Sequence, residues 1–266
     1  MLMELEQIYT RDYFLNECDG FRTFKSSGGF HLSKRQKRIF RKVLESGARK
    51  IIDIGCGRGE LALNLAIYGC EVWAVDFSKH AIDIADEIKR RWEIKNGRLN
   101  MNIVLKNALM LDFDDGFFDA ALMIDVVEHM DYNSSLSIFR QCSKIIKRGG
   151  NLFIHTSPGK IFLNYGLEIY KVVAYFMGYR FNNKLKELLP LTLKPPYHIT
   201  EWSSSMFRKA LKECGFKKID ISLWKNPYYA YYFTSNDRFM NLIRAISKII
   251  GWKELFCADI FVSASL

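Results

Sequence analysis

The sequence predicts an α/β fold built around a mostly parallel β-sheet. Short β-rich runs alternate with segments whose apolar residues follow the helical period, and no internal repeat interrupts the alternation. Hydrophobic residues make up 49% of the chain and aromatic residues 14%, a composition typical of a chain that folds around a core. With 266 residues, we expect a single domain over 1–266.

Seven strands are predicted, each a short run rich in β-branched or aromatic residues. They cover 50–54, 71–76, 101–105, 118–124, 151–156, 218–224 and 256–264. Helices are predicted near 34–46, 60–68, 79–94, 133–147 and 203–214.

Two regions fall outside this alternation. Residues 1–48 form an aromatic-rich N-terminal extension followed by the first helix, and 157–202 is too long for a simple connection. We expect 157–202 to be an inserted cap over the active site, at the carboxyl ends of the strands, where ligands bind in open α/β folds. Residues 161–180 within it are apolar but carry charges and two glycines, which favours an amphipathic surface helix over a membrane span.

Charge and cysteine content limit the classes of function. The net charge of +10 favours an anionic partner: a phosphorylated metabolite, an anionic membrane surface or RNA. Six cysteines without a C-x-x-C pair argue against a zinc site or a disulfide framework and predict reduced thiols in a cytoplasmic protein. The N-terminal residues also lack the basic and apolar regions of a secretory signal.

A glycine-rich segment, DIGCGRG at 53–59, follows the first predicted strand. Its three glycines allow a tight turn and a close approach of a ligand to the backbone. The dinucleotide-binding fingerprint needs its third glycine where this chain has Glu60, and the Gly-Lys-Ser/Thr of a nucleotide phosphate loop is absent.

Two carboxylates narrow the choice of ligand. Asp53, at the end of the first strand, would repel a pyrophosphate but suits a ligand with an ammonium group. Asp76 ends the second strand, where a carboxylate can accept both hydroxyls of a ribose. A ligand with a ribose, an amino group and little negative charge is S-adenosyl-L-methionine.

The middle of the chain, roughly 48–225, resembles the class I S-adenosylmethionine-dependent methyltransferases. The segments that carry the resemblance follow one another in family order: IIDIGCGRGELALNLAIYG, VWAVDFSKHAIDIA, KNALMLDFDDGFFDAALMIDVVEHM, IIKRGGNLFIHTSP and HITEWSSSMFRKALKECGF. The resemblance implies one methyltransferase domain with a Rossmann-like, seven-stranded sheet, helices on both faces and an antiparallel last strand. It also implies S-adenosyl-L-methionine as the cofactor.

The resemblance and the loop chemistry together give a set of expected cofactor-binding residues. They are Asp53, Gly55, Cys56, Gly57, Gly59, Asp76, Phe77, Asn107, Ala108, Leu109 and Asp125. Many relatives carry Asp where this chain has Asn107, but an amide can still donate to or accept from the adenine edge. Cys56 is expected to be a small, unreactive loop residue beside the ligand.

The segment DVVEH supplies candidates for the acceptor side. Asp125, Glu128 and His129 stand at i, i+3 and i+4, which one helical turn would place on one face. His129 can take a proton from an acceptor hydroxyl. Ubiquinone-pathway O-methyltransferases have the same pattern, and there the trio can hold a divalent ion. We predict His129 as the catalytic residue, assign no metal ligand and leave the metal interpretation open.

Several other residues admit both a functional and a structural role. His155, at the end of the fifth strand, is expected to be structural, and His198 is ambiguous. The aromatic residues of the extension either close over the cofactor and acceptor or pack the extension onto the sheet; they are Tyr9, Tyr13, Phe14, Phe21 and Phe24. NPYY at 226–229 resembles the signature of amino-group methyltransferases, which carry it after the fourth strand, so we interpret it here as a turn.

These patterns predict methyl transfer to a small-molecule acceptor, namely a hydroxyl on a sugar, lipid-linked or quinone-like substrate. The alternatives are an RNA methyltransferase and a catalytically silent partner subunit that binds the cofactor. No RNA-binding module is recognisable and the basic residues are scattered, which disfavours nucleic acid. An anionic or lipid-linked acceptor, reached by peripheral membrane contact through 161–180, is a further hypothesis; the oligomeric state is left open.

Overall fold

The computed structural model describes residues 7–178, 198–224, 241–242, 245–246 and 253–266. The chain divides into two compact units. The first consists of Met1–Ile124, Ser137–Phe153 and Ser265–Leu266, and the second of Asp125–Leu136 and Ile154–Ala264. The NPYY segment lies outside the described residues, and so do three basic residues that follow the apolar segment or end it: Arg180, Lys184 and Lys186.

The first unit contains four parallel strands. They are β1 (Lys50–Ile54), β2 (Glu71–Asp76), β3 (Met101–Leu105) and β4 (Phe118–Ile124). Strand β1 pairs with β2 on one side and β4 on the other, and β2 pairs with β3. The isoleucines of β1 are fully buried, as is usual for a central strand of a parallel sheet whose faces are covered by helices. Asp53 is therefore a buried carboxylate among isoleucines near the end of a central strand.

Four helices lie close to their predicted places: α2 (Lys34–Glu45), α3 (Glu60–Ile67), α4 (Lys79–Asn96) and α5 (Tyr132–Ile145). A further helix that was not predicted, α1 (Phe21–Ser27), lies in the N-terminal extension. Ser33 and Gln36 form a capping box at the start of α2, and the Ser78 hydroxyl accepts a hydrogen bond from the Ala81 N–H at the start of α4. These local hydrogen bonds explain why the sequence marks the helix starts clearly.

Strand β5 (Ile146–Thr156) begins five residues before its predicted start, at the residue that follows α5. The prediction that the helix continues to 147 was therefore wrong. The segment KIIKRGG has apolar and basic residues that suit either structure, and β5 is the neighbour of β4 in the sheet. Pairing with a strand distant in sequence leaves no local signal.

The second unit contains the end of β5, together with β6 (Lys218–Trp224), β7 (Asp259–Ser265), α6 (Leu167–Phe176) and α7 (Ser204–Glu213). The strand order is β3-β2-β1-β4-β5-β7-β6. The sheet is mostly parallel with antiparallel strands at its end, which confirms the predicted fold class.

The helix predicted in 161–180 packs one face on the chain itself. Phe162, Leu167 and Tyr170 are buried against the segment at 255–258, and the Tyr170 hydroxyl donates to the Phe256 carbonyl at 3.2 Å. The opposite side leaves four large apolar side chains exposed: Tyr165, Val172, Tyr175 and Phe176. Within the described ranges, the model has no helix with the length and apolar character needed to cross a membrane.

Candidate active site

The glycine loop turns from β1 into α3 through three left-handed backbone positions. Gly55, Gly57 and Gly59 have φ values of 75°, 53° and 81°, which a side chain would strain. At Gly59 a Cβ atom would also lie 2.8 Å from the Cβ of Ala85, so α3 and α4 can approach closely only if this residue is glycine. The predicted need for glycine is confirmed at all three positions.

Asp76 joins the end of β2 to this loop. One carboxylate oxygen accepts from the Gly57 N–H and the other from the Ser78 N–H, both at 2.9 Å. Burial raises the pKa of Asp76, and these backbone donors partly oppose the shift. A carboxylate oxygen can accept two hydrogen bonds, so each can still bind a ribose hydroxyl.

Asp53 lies behind the loop and is 3% exposed. Burial, together with the charges of Asp76 and Glu60, raises its pKa to about 7. Three acidic groups thus lie close together at low solvent exposure, which makes the site favourable for a cation. This agrees with the ammonium group that the sequence predicted as Asp53's partner.

Arg58, between the second and third glycines, fastens the N-terminal extension to the loop. It is 3% exposed, and its guanidinium donates to the carbonyls of Phe14 and Asp19 at 2.7 Å and of Cys18 at 3.2 Å. Its Nε donates to Glu60 at 2.9 Å. The sequence analysis missed this residue, because an arginine inside a glycine loop gives no sign of partners about 40 positions earlier.

Aromatic contacts hold the same extension against the end of β2. The Tyr9 carbonyl accepts from the Ser78 hydroxyl at 3.1 Å, and the Tyr9 ring meets Phe77 edge-to-face at 5.5 Å. Phe14 is buried and lies near the loop, 3.9 Å from where a Cβ on Gly57 would be. These contacts support the interpretation that the aromatic residues pack the extension onto the fold.

The loop after β3 lies at the end of β2, because the Lys106 N–H donates to the Asp76 carbonyl at 2.9 Å. Within it, the Asn107 side-chain oxygen accepts from the Leu109 N–H at 2.9 Å. A cavity of about 420 Å³ borders the loop; its lining includes Asn107, Met110 and Gln141. Since the Asn107 oxygen already holds the loop, its NH₂ group is the part suited to an adenine nitrogen.

Asp125 and His129, the predicted residues of the second unit, do not share one helical face. The helical turn covers only Val127–His129, and Asp125 precedes it with a left-handed φ of 56°. The Asp125 Oδ1 lies 2.6 Å from His155 Nδ1, while His155 Nε2 lies 3.5 Å from Asp259 Oδ2. The expectation of a single face was wrong because the left-handed backbone at Asp125 keeps this residue out of the helical turn, and its carboxylate contacts His155 on β5 instead.

Glu128 and His129 instead meet His198. Each of the three offers a ligand atom within 4.8 Å of the others, and the two imidazole rings are 5.2 Å apart, edge-to-face. Glu128 is 3% exposed and accepts from the Thr156 hydroxyl at 2.9 Å. Burial, together with the charge of Asp125, raises the pKa of Glu128 to about 8.

His198 is the partner that sequence reasoning left undecided. Burial lowers its pKa to about 4, and the nearby His129 also disfavours its charged form. The backbone fixes its position, because the N–H groups of Ile199 and Thr200 donate to the Glu128 carbonyl at 2.8 and 3.2 Å. The Trp202 indole N–H donates to the Val127 carbonyl at 3.2 Å.

Comparison with known proteins agrees with this geometry. Residues 52–154 match the family model described as a methyltransferase domain. The chain is 29% identical over 177 residues to a ubiquinone biosynthesis O-methyltransferase of Coxiella burnetii, covering 64% of this chain and 68% of the relative. It is 27% identical over 187 residues to an O-methyltransferase of Aspergillus nomiae, covering 70% and 72%.

Solved structures show the same fold. A SAM-dependent methyltransferase from Archaeoglobus fulgidus aligns with 93% of this chain and 100% of its own at a TM-score of 0.57 and 18% identity. The magnesium protoporphyrin IX methyltransferase of Synechocystis PCC 6803, solved with bound SAH, covers 98% and 99% at a TM-score of 0.56 and 14% identity. The matched methyltransferase domain, the O-methyltransferase relatives and the fold together support a class I S-adenosylmethionine-dependent methyltransferase with S-adenosyl-L-methionine as its cofactor.

Proposed function

We propose that this enzyme methylates a hydroxyl oxygen of a small-molecule acceptor. The observation that carries the proposal is the His129–His198 pair beside Glu128, directly after β4. Hydroxyl acceptors must lose a proton, and this cluster supplies groups that promote such a loss. The names of the relatives from C. burnetii and A. nomiae, both O-methyltransferases, support the same acceptor atom.

The proposed reaction is a direct methyl transfer, in which the protein itself needs to form few or no covalent bonds. The bond between the cofactor's sulfur and its methyl carbon breaks, a bond between that carbon and the acceptor oxygen forms, and S-adenosylhomocysteine leaves. The sulfonium is already activated, so the chain must hold the acceptor in line and promote departure of the hydroxyl proton. We assign the second task to His129, whose imidazole is partly exposed.

The proposed cofactor contacts follow from the first unit. Asp53 faces the ammonium group, Asp76 the ribose hydroxyls, and the glycine loop with Cys56 the cofactor's amino-acid part. Phe77 and the residues at 107–109 border the adenine ring, and the Asn107 NH₂ group donates to a ring nitrogen. The remaining predicted cofactor residue, Asp125, belongs to the second unit, where its carboxylate lies 2.6 Å from the His155 imidazole.

The proposed acceptor is carried on, or near, an anionic lipid surface. Tyr165, Tyr175 and Phe176 expose their rings on the helical segment 162–176, and Lys160 precedes it. Amphipathic helices of this kind lie in the membrane interface, and a net charge of +10 draws the enzyme to anionic headgroups. The hypothesis covers 161–178; positions 179–180 lie outside the described residues.

Replacement of His129 tests the function. With wild-type enzyme, a panel of quinol, lipid-linked sugar and RNA acceptors should yield S-adenosylhomocysteine with the hydroxyl small molecules. The variant His129→Ala should lose about 10²- to 10⁴-fold in turnover, the range usual for loss of proton-transfer assistance. Cofactor affinity should stay unchanged, and the exposed His80→Ala should keep full turnover.

Other outcomes would contradict the proposal. Methylation of RNA in preference to the small molecules would support the nucleic-acid alternative. Cofactor binding without turnover on any acceptor would support a silent partner subunit. Full turnover in His129→Ala would give that residue a structural role.

A further inference from the structure

The family pattern in DVVEH implies a divalent cation held by Asp125, Glu128 and His129, and the geometry does not fit that trio. The Asp125 carboxylate lies 2.6 Å from the His155 imidazole, and the left-handed backbone at Asp125 separates it from the helical turn. In the part of the chain that the structure describes, the ligand atoms that converge belong to Glu128, His129 and His198.

Backbone structure brings Glu128, His129 and His198 close together. The turn Val127–His129 places Glu128 and His129 side by side. The segment after position 197 is fixed on that turn by the hydrogen bonds from Ile199 and Thr200 to the Glu128 carbonyl. A site fixed in this way does not have to be assembled when a ligand binds, which lowers the entropy cost of binding.

His198 gives the independent sign that a ligand is missing from this cluster. Its side chain is 8% exposed, yet its Nδ1 has no hydrogen-bond partner among the described residues. Buried polar groups without partners are rare because each costs desolvation energy. A ring nitrogen in this position is a potential ligand for a metal ion held by Glu128 and His129.

We propose that Glu128, His129 and His198 bind a divalent transition metal such as Zn²⁺, in preference to Mg²⁺. Two imidazoles and one carboxylate are ligands that suit zinc and its first-row neighbours, whereas Mg²⁺ requires oxygen ligands. Three protein ligands leave a position open, as in catalytic zinc sites.

This inference rests on the proposed function only for its chemical purpose. A metal bound there would lower the pKa of a coordinated acceptor hydroxyl. His129 then promotes proton loss as a ligand, and the proton goes to solvent. Glu128 and His198 complete the ligand set, and the Thr156 hydroxyl orients the Glu128 carboxylate.

The test is metal binding by the full chain with neither cofactor nor acceptor present. After chelator treatment, calorimetric titration with ZnCl₂ should show one site, and MgCl₂ should give no binding in the same concentration range. Substitution with Co²⁺ should produce visible absorption bands of a site with nitrogen ligands. Both His198→Ala and His198→Gln should weaken zinc binding by more than the roughly 10- to 100-fold that loss of an outer contact costs.

Two variants serve as controls. His80→Ala removes an exposed histidine and should leave zinc affinity unchanged. Asp125→Asn separates this ligand set from the family trio: it should weaken zinc binding less than the His198 variants do, because Asp125 acts on the site through its charge and not as a ligand. Circular dichroism and the thermal midpoint establish that each variant is folded.

Three results would overturn the proposal: no zinc binding by wild-type protein, unchanged affinity in folded His198 variants, or tighter binding of Mg²⁺ than of Zn²⁺. A loss in Asp125→Asn as large as in the His198 variants would do the same. Zinc binding that depends on His198, in an enzyme that methylates no hydroxyl, would leave this inference standing and refute the proposed function.

Discussion

At the scale of single residues, Asp53 shows how burial, with two acidic neighbours, makes a site favourable for a cation. The first-unit cluster around it contains Asp76 and Glu60, and Glu60 has a buried partner in Arg58. Asp53 is an acid whose pKa in the folded protein is raised to about 7 from the ordinary value of 3.8. The folded state therefore binds a proton between these values that the unfolded state has lost.

The first prediction concerns pH and Asp53. Stability from this group is fully present below pH 3.8 and is lost as the pH rises through about 7. The variant Asp53→Asn has no such charge, so its advantage in free energy of unfolding should grow by about 2–3 kcal/mol from pH 5 to pH 8. Urea unfolding of the cofactor-free protein at both values measures it. An equal difference at the two pH values would contradict the assigned environment.

The second prediction concerns cofactor affinity and Asp76. Asp76→Asn keeps the size of the side chain but replaces the charged carboxylate that we propose as the acceptor for the ribose hydroxyls. Loss of a charged hydrogen-bonding pair should weaken S-adenosylmethionine binding by about 1.5–3 kcal/mol. Calorimetry gives the affinity, with the exposed Asp115→Asn as the matched control. Wild-type affinity in the Asp76 variant would remove it from the cofactor site.

At the scale of elements, two of the arginines that hold the N-terminal extension within the first unit differ in burial. Arg58 is buried and donates to three carbonyls of the extension, whereas Arg11 forms an exposed ion pair with Glu87. Exposed pairs contribute about 0–1 kcal/mol. Removal of a buried arginine leaves its partners without donors and costs about 3–5 kcal/mol.

The prediction for the extension follows from this contrast. Arg58→Ala should release residues 7–30, seen as faster amide hydrogen exchange across that segment, while Arg11→Ala should change exchange there only slightly. The sheet strands should keep their protection in both variants. Equal exchange in the two variants would mean that the buried contacts of Arg58 do not hold the extension.

Helix α6 supplies a prediction on the membrane hypothesis. Enzyme should sediment with vesicles containing phosphatidylglycerol at low salt, and less as salt rises. The double variant Tyr175→Ser/Phe176→Ser removes two rings that are 76% and 81% exposed and should abolish sedimentation. Ile94→Ser, equally exposed at 83% but on α4, should leave it unchanged. Absence of binding even at low salt would refute the membrane hypothesis.

At the scale of the whole molecule, the fold follows from patterns a few residues long. The runs KIIDI, EVWAVD, MNIVL and FDAALMI predict β1 to β4 at the bounds that the structure has. These runs are mostly apolar, and β1 and β4 are the most deeply buried of the four, whereas β3 lies at the edge of the sheet and is partly exposed. The one large error, at the start of β5, arose where the local pattern suited helix and strand equally.

The sequence by itself determined the β1–loop–α3 unit and was enough to propose that Asp53 and Asp76 bind one cofactor, because glycine conformations and strand ends are local properties. Only the tertiary structure decided the partners of Arg58, Asp125 and His198. Those partners lie roughly 30 to 70 positions away along the chain, and the sheet order and backbone hydrogen bonds bring them together. No sequence periodicity indicates such contacts, so the cluster of Glu128, His129 and His198 can be identified only in the folded chain.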